Sequence, residues 1–314
     1  MSILTTSYQI PPLTKKFDTQ VTLPGSKSIA LRQLAISALV DGKTILSGIP
    51  ECDDIDAMIE CLGTLGVRIQ RTKNELEISG PIDLSDKTVS INTRMSGAST
   101  RILIGLAALR KGLTRIDGHE SLRKRTNEPL LKTLEQMGCI VKREGVGLPV
   151  KISGPVTSPE LEIAGNISSQ YVTALLLISP FLNQEDRVAI KIKGDLVSKP
   201  YIDITVNEMR KRGLRVRWNG SRDLVIESGA YSDGEYSIEG DATAASYFSA
   251  LATIHNSSVN FPNLGSNTVQ GDYFFFEVME QLGAQVERTE QSTRISGSIQ
   301  LEGLGDMDMN NHPD

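Results

Sequence analysis

Four times along this chain an amphipathic segment of helical period runs into a glycine and leaves it as an alternating strand. The four instances are CLGTLGVRIQ (Cys61–Gln70), TLEQMGCIVK (Thr133–Lys142), NEMRKRGLRVRW (Asn207–Trp218) and VMEQLGAQVE (Val278–Glu287). The pivot glycines Gly66, Gly138, Gly213 and Gly283 lie 72, 75 and 70 residues apart. A glycine just past a helix end can take the left-handed conformation that closes the last turn without a side-chain clash. The segments that follow, such as Val67–Gln70 and Leu214–Trp218, alternate apolar and polar as half-buried strands do. A period near seventy is too long for a solenoid, whose repeats run to about 50 residues. It fits a small βαβ-type module used several times per domain.

Between the pivots the same patterning predicts helices at Ala30–Val40, Asp54–Leu65, Thr100–Leu109, Glu128–Met137, Ser169–Leu182, Tyr201–Arg212, Ala242–Ile254 and Asp272–Leu282. It predicts strands at Lys43–Ser47, Glu75–Ser79, Leu113–Asp117, Leu161–Ile163, Arg187–Ile192, Asp223–Ile226, Glu235–Ile238 and Ser258–Phe261. At 314 residues the chain exceeds what one compact domain usually holds, so two domains are expected.

Composition narrows the function classes. The formal net charge is −5, with 33 Lys plus Arg against 38 Asp plus Glu, which argues against general nucleic-acid binding. Any anion must therefore be held by a local cationic cluster rather than by the overall field. Cys52, Cys61 and Cys139 are odd in number, far apart and without a CxxC pair. That speaks against a disulfide framework or a zinc site and for a reducing, cytoplasmic setting. The three histidines are scattered, so no metal is expected. The N-terminal residues lack the basic-then-apolar order of a signal peptide, and the longest apolar stretch, near Ala174–Leu182, is too short to span a bilayer. A soluble protein with no membrane partner is the expectation.

Several predicted helices begin in loops that suit anions. PGSKSIALR (Pro24–Arg32), SGASTR (Ser96–Arg101), GNISSQY (Gly165–Tyr171) and SKPY (Ser198–Tyr201) each place hydroxyls, glycine or a cation at a helix start. Unpaired N–H groups and the helix dipole attract negative charge there, and Lys and Arg add charge-assisted hydrogen bonds. A single such loop is most often a plain N-cap. Four in one chain point to a ligand rich in anionic groups. The GxxxxGK[ST] spacing is absent, so a nucleotide is not indicated.

Taken in order, these loops resemble those of the enolpyruvyl transferases. LPGSKS with Arg32, ECDDID (Glu51–Asp56), SGASTR and LRKRTNEP (Leu122–Pro129) are similar to that family's successive loops. SSQYVTALL (Ser168–Leu176) and KGDLVSKPYIDIT (Lys193–Thr205) are the most specific, and resemble the branch acting on shikimate 3-phosphate rather than the peptidoglycan branch. EGDATAASYF (Glu239–Phe248), NTVQGD (Asn267–Asp272) and DMDMNNHPD (Asp306–Asp314) complete the run. The resemblance implies an α/β fold of two inside-out α/β barrel domains built from repeated βαβαββ units. Residues 1–22 with 237–314 would form the first domain, its C-terminal units missing. Residues 23–236 would form a second, inserted domain of three repeats. Family members run about a hundred residues further, so these 314 residues alone are expected to lack turnover.

The implied reaction transfers the enolpyruvyl group of phosphoenolpyruvate to the 5-hydroxyl of shikimate 3-phosphate, in chorismate and aromatic amino acid biosynthesis, at the step blocked by glyphosate. By the same resemblance Lys27 contacts both substrates and serves in proton transfer. Ser28, Arg32, Ser168, Ser169, Gln170, Ser198, Tyr201 and Asp314 bind shikimate 3-phosphate. Gly97, Arg125 and Gln170 join Lys27 at phosphoenolpyruvate, and Asp314 takes the proton from the 5-hydroxyl. No cofactor or metal is implied, and the partners are the two small molecules, bound by a monomer. The chain departs from the family at Met95, Ala98, Thr126 and the pair Ala30-Leu31. The first two replace an Asn and a Thr beside the phosphoenolpyruvate site, so binding there is expected to differ. Two other readings stay open: a truncated or diverged non-catalytic phosphoshikimate-binding paralogue, and the UDP-N-acetylglucosamine enolpyruvyl transferase. The latter typically has a Cys near Gly118–Thr126, where this chain has none.

Overall fold

The computed structural model describes residues 9–73, 75–157, 160–182, 187–307 and 309. The chain begins β1 (Asp18–Gln20), α1 (Lys27–Ser37), β2 (Lys43–Ser47), α2 (Asp53–Thr64), β3 (Arg68–Arg71) and β4 (Glu75–Ser79). It continues β5 (Val89–Asn92), α3 (Gly97–Ala107), β6 (Thr114–Asp117), α4 (Glu120–Arg123), α5 (Glu128–Gln136), β7 (Ile140–Arg143) and β8 (Val150–Ser153). Next come β9 (Glu160–Ala164), α6 (Ser169–Ile178), β10 (Arg187–Lys193), α7 (Lys199–Lys211), β11 (Val216–Asn219) and β12 (Asp223–Glu227). The last elements are β13 (Gly234–Ser237), α8 (Ala242–Ile254), β14 (Ser258–Phe261), α9 (Phe275–Gln281), β15 (Gln285–Arg288) and β16 (Thr293–Ser296).

The pivots close α2, α5, α7 and α9 as their chemistry requires. Gly66, Gly138, Gly213 and Gly283 have φ of +99°, +95°, +89° and +102°, a region that other residues reach only with strain. The described strands form four sheets with one wiring. In each, two strands pair in parallel and a hairpin adds two antiparallel ones, its second strand lying inside the sheet. In the second unit Val89 faces Thr114 in parallel, Thr114 faces Ile152 antiparallel, and Ile140 closes on Ser153.

Two units exchange their first strands. β13 pairs in parallel with β2, while β1, from the other end of the chain, pairs with β14. The chain therefore leaves the smaller lobe after β1, builds the larger one, and returns after β13. The two crossings touch at an antiparallel bridge between Gly25 and Gly240. There the Ser26 N–H donates to the Glu239 carbonyl at 2.8 Å, and the Asp241 N–H to the Pro24 carbonyl at 2.9 Å. A Cβ on Gly25 would lie 1.8 Å from the Gly48 carbonyl oxygen, so the backbones meet only because it is glycine.

Helices fill the inside of the larger lobe and sheets cover it. α1, α3 and α6 are buried on nearly every side, as helices without a polar face must be. α3 packs on α6, and both α6 and α1 on α7. Strands such as β2 and β4 alternate between buried and more open positions. Buried apolar residues form two clusters, one from Ile29 to Ile238 and one of Leu23 with residues between Ala242 and Ile295. In the smaller lobe α8 leaves Tyr247, Leu251 and Ile254 exposed. Among the described residues no helix is long and apolar enough to cross a membrane.

Several helix ends differ from the sequence expectation, among them the start of α3, at Gly97 rather than Thr100. α1 begins at Lys27 rather than Ala30, because the Asp241 carboxylate accepts the Lys27 N–H at 3.1 Å and caps it from the smaller lobe. α6 stops at Ile178, since Pro180 turns the remainder into a 3-10 segment, Ser179–Phe181. The expected helix from Asp272 opens as a 3-10 turn, Gly271–Phe274, before α9.

Candidate active site

α1, α3, α6 and α7 bring their first turns to one cavity of about 410 Å³. Their N–H groups, which have no partner inside the helix, give it a positive edge. Local capping explains two of the starts: the Ser96 hydroxyl accepts from the Ser99 N–H and the Ser168 hydroxyl from the Gln170 N–H, both at 3.3 Å. Ser198, at the start of α7, sits at φ +53° and makes no side-chain cap, so its hydroxyl is left for the cavity it lines.

Four cations stand in or behind this wall. Arg32 is 4% exposed, and burial pulls its guanidinium down to about 10, still charged at neutral pH. It donates to Thr205 Oγ1 at 2.7 Å, the Ser28 carbonyl at 2.7 Å, the Tyr201 carbonyl at 2.9 Å and Thr173 Oγ1 at 3.3 Å. It thus joins α1, α6 and α7 as well as facing the cavity. Arg101 lies behind α3, with Nη1 on the Gly97 carbonyl at 2.8 Å and Nε buried without a partner. Burial lowers its pKa, and nearby Arg125 adds to that. Arg125 belongs to a basic loop in which Arg123 pairs with Asp117 and Lys124 with Glu120, each at 3.0 Å. Among the described residues no carboxylate pairs with Arg125, which turns to the cavity. Its loop is pinned by the Tyr171 hydroxyl, which donates to the Thr126 carbonyl at 2.8 Å. Lys27 pairs with Asp54 at 3.0 Å. Burial alone would lower the Lys27 pKa, but the hydrogen bond and charge of Asp54 outweigh it, and the net direction is up.

Lys27, Ser28, Arg32, Gly97, Arg125, Ser168, Ser169, Gln170, Ser198 and Tyr201 all line this one cavity. Asp314 lies outside the described residues. Every described lining residue comes from the larger lobe, and a recess lined by Ser28, Tyr201, Asp241 and Asp272 continues toward the smaller one. Asp54, Ile102, Ile167 and Val197 also line the cavity without having been singled out in the sequence. Met95 and Ala98 form part of its wall, Met95 well exposed. Among the described residues no group of three or more His, Cys, Asp or Glu could hold a metal ion.

Gly97 sits between two guanidiniums. A Cβ there would lie 2.7 Å from Arg101 Nη1 and 3.6 Å from Arg125 Nη1. Gly97→Ala is therefore expected to keep the fold but displace Arg101, weakening binding at this end about ten- to a hundredfold. Separate titrations with the two anionic ligands that the sequence resemblance implies check it, the one expected beside Gly97 changing far more than the other.

Repeated βαβαββ units with helix starts, hydroxyls and cations around one cavity define an α/β protein built to hold several anionic groups at once. The family model for EPSP synthase (3-phosphoshikimate 1-carboxyvinyltransferase) matches residues 13–314. A 3-phosphoshikimate 1-carboxyvinyltransferase from Shewanella pealeana is 36% identical over 312 residues, spanning 96% of this chain and 72% of that protein. One from Vibrio atlanticus is 37% identical over 309 residues, with 96% and 72% covered. In structure the chain is similar to the EPSP synthase of Acinetobacter baumannii, with a TM-score of 0.78 at 25% identity, covering 93% of this chain and 67% of that one. The chain belongs to the EPSP synthase family.

Proposed function

We propose that this chain transfers the enolpyruvyl group of phosphoenolpyruvate to the 5-hydroxyl of shikimate 3-phosphate and releases phosphate. The observation that carries the reading is the single cavity in which four helix starts, Lys27 and Arg125 converge. Two phosphates and two carboxylates repel one another, and bringing them together needs that many positive groups in fixed positions.

The 5-hydroxyl oxygen forms a bond to C2 of phosphoenolpyruvate while C3 takes up a proton. The tetrahedral adduct then loses phosphate from C2 and a proton from the new methyl group, which restores the double bond. Ser168, Ser169 and Ser198 present hydroxyls to shikimate 3-phosphate, with Ser28, Arg32, Gln170 and Tyr201 shaping the same wall. Gly97 lets the start of α3 approach phosphoenolpyruvate, and Arg125 meets its phosphate. Lys27 stands between the two substrates and moves a proton, and Asp314 is the proposed base for the 5-hydroxyl. The two apolar clusters support a division into residues 1–22 with 237–314 and residues 23–236, although Leu23 packs with the smaller core and Ile238 with the larger one.

Calorimetric titration with shikimate 3-phosphate and then with phosphoenolpyruvate tests the reading. Saturable binding of the first and tighter binding of the second in its presence are expected. Absence of shikimate 3-phosphate binding at millimolar concentration overturns it. Met95→Asn places an amide on the cavity wall and is expected to tighten phosphoenolpyruvate binding about tenfold, the size of one hydrogen bond to a charged group. An unchanged dissociation constant in the same titration would show that Met95 does not face that ligand.

A further inference from the structure

The first turn of α2 carries three carboxylates, Asp53, Asp54 and Asp56. Asp53 pairs with Arg94 at 2.5 Å and Asp56 with Arg71 at 3.0 Å. Asp54 alone of the three lines the cavity, where it holds the Lys27 ammonium at 3.0 Å. Its sign is wrong for a pocket that gathers anions, because it repels every phosphate or carboxylate that enters. Its backbone is also anchored, for the Asp54 carbonyl accepts the Ser99 hydroxyl at 3.3 Å and ties the start of α2 to the start of α3.

Lys27 is fixed at one end only. Its N–H is held by Asp241 at 3.1 Å, while its side chain is half exposed. A lysine stem has many rotamers of similar energy, so an unpartnered ammonium would spend much of its time in solvent. The partner that selects the inward rotamers is Asp54.

We infer that Asp54 is a positioning residue for this site, holding the Lys27 ammonium over the cavity while the site is empty and yielding it to the arriving anion. The identity of that anion rests on the proposed function; the ion pair does not. Asp54 gives up some affinity for anions and in return keeps the lysine in place and charged. The upward direction of the Lys27 pKa has the same cause.

Acetylation of Lys27 by acetic anhydride, read by mass spectrometry on the full chain without ligand, follows the pair directly, since only the free neutral amine reacts. Asp54→Asn is expected to raise the Lys27 rate about two- to fivefold at fixed pH, the range for a half-exposed ion pair. Its affinity for shikimate 3-phosphate should equal or exceed that of the wild type. Asp53→Asn, which removes the same charge from the same turn but faces Arg94, should leave the Lys27 rate unchanged. Asp54→Glu should stay near the wild-type rate. An unchanged Lys27 rate in Asp54→Asn, or an equal rise in Asp53→Asn, overturns the assignment. So does a rise shared by the remote Lys43, which pairs with Glu77 at 2.7 Å and would report loss of the fold. Affinity weakened beyond about fivefold in Asp54→Asn also counts against it, since the effect is limited to one half-exposed pair. If the wild type itself fails to bind shikimate 3-phosphate, the proposed function falls while the rate comparison still decides the role of Asp54.

Discussion

Arg125→Met is expected to weaken phosphoenolpyruvate binding by about 100-fold or more while leaving the unfolding temperature close to that of the wild type. Arg125 meets no carboxylate among the described residues, so its removal leaves no charged partner stranded in the protein. Its neighbours Arg123 and Lys124 keep their own pairs with Asp117 and Glu120. In the proposed role, what is lost is a fork of donors to the ligand's phosphate, about 3 kcal/mol for two charge-assisted hydrogen bonds, and each ~1.4 kcal/mol is a factor of ten. Calorimetry and thermal melting on the same preparation separate the two effects. A large fall in melting temperature, or a dissociation constant within about threefold of the wild type, would mean that Arg125 holds the loop rather than the ligand.

Arg32→Ala is expected to do the opposite, lowering stability by about 3 kcal/mol before any ligand is present. The guanidinium is almost wholly buried and joins three helices through Thr205, the Ser28 and Tyr201 carbonyls and Thr173. Alanine removes those donors and leaves a void beside the cavity, although the Tyr201 carbonyl still accepts the Thr205 hydroxyl at 3.1 Å. Thr173 and Thr205 retain each other at 2.9 Å, which limits the damage. Urea unfolding of the variant reads the loss. A change below about 1 kcal/mol would place Arg32 among the ligand-binding groups alone, without the structural part argued here.

The pivots were legible in the sequence because a positive-φ glycine after a helix leaves a local mark, and all four take that conformation. Strand pairs such as β2 and β4 were legible to the residue because their alternation is clean over five positions. β1, β5, β8 and β16 were not, although β14, equally short, was placed to the residue, so alternation over three or four positions marks a strand only some of the time. The start of α1 was placed three residues late because its cap, Asp241, lies more than two hundred residues away. The loops around the cavity were legible from their hydroxyls, glycines and cations. Asp54 was not: three aspartates opening a helix read as complements to its dipole, and nothing local tells which of them faces inward. Arg101 falls in the SGASTR loop, four residues after Gly97, but only packing puts its guanidinium behind that glycine.

The strand exchange has a consequence for biosynthesis. Asp18 is translated 240 residues before its partner Ser258, which at ribosomal speeds is a wait of roughly 10–50 s. Everything from α1 to β13 can condense in that interval, so the larger lobe is finished while the first strand is still unmatched. That strand reads Asp-Thr-Gln and keeps all three side chains in water even when paired. A segment that must idle beside the nascent chain is thereby one of the least adhesive stretches the protein could expose.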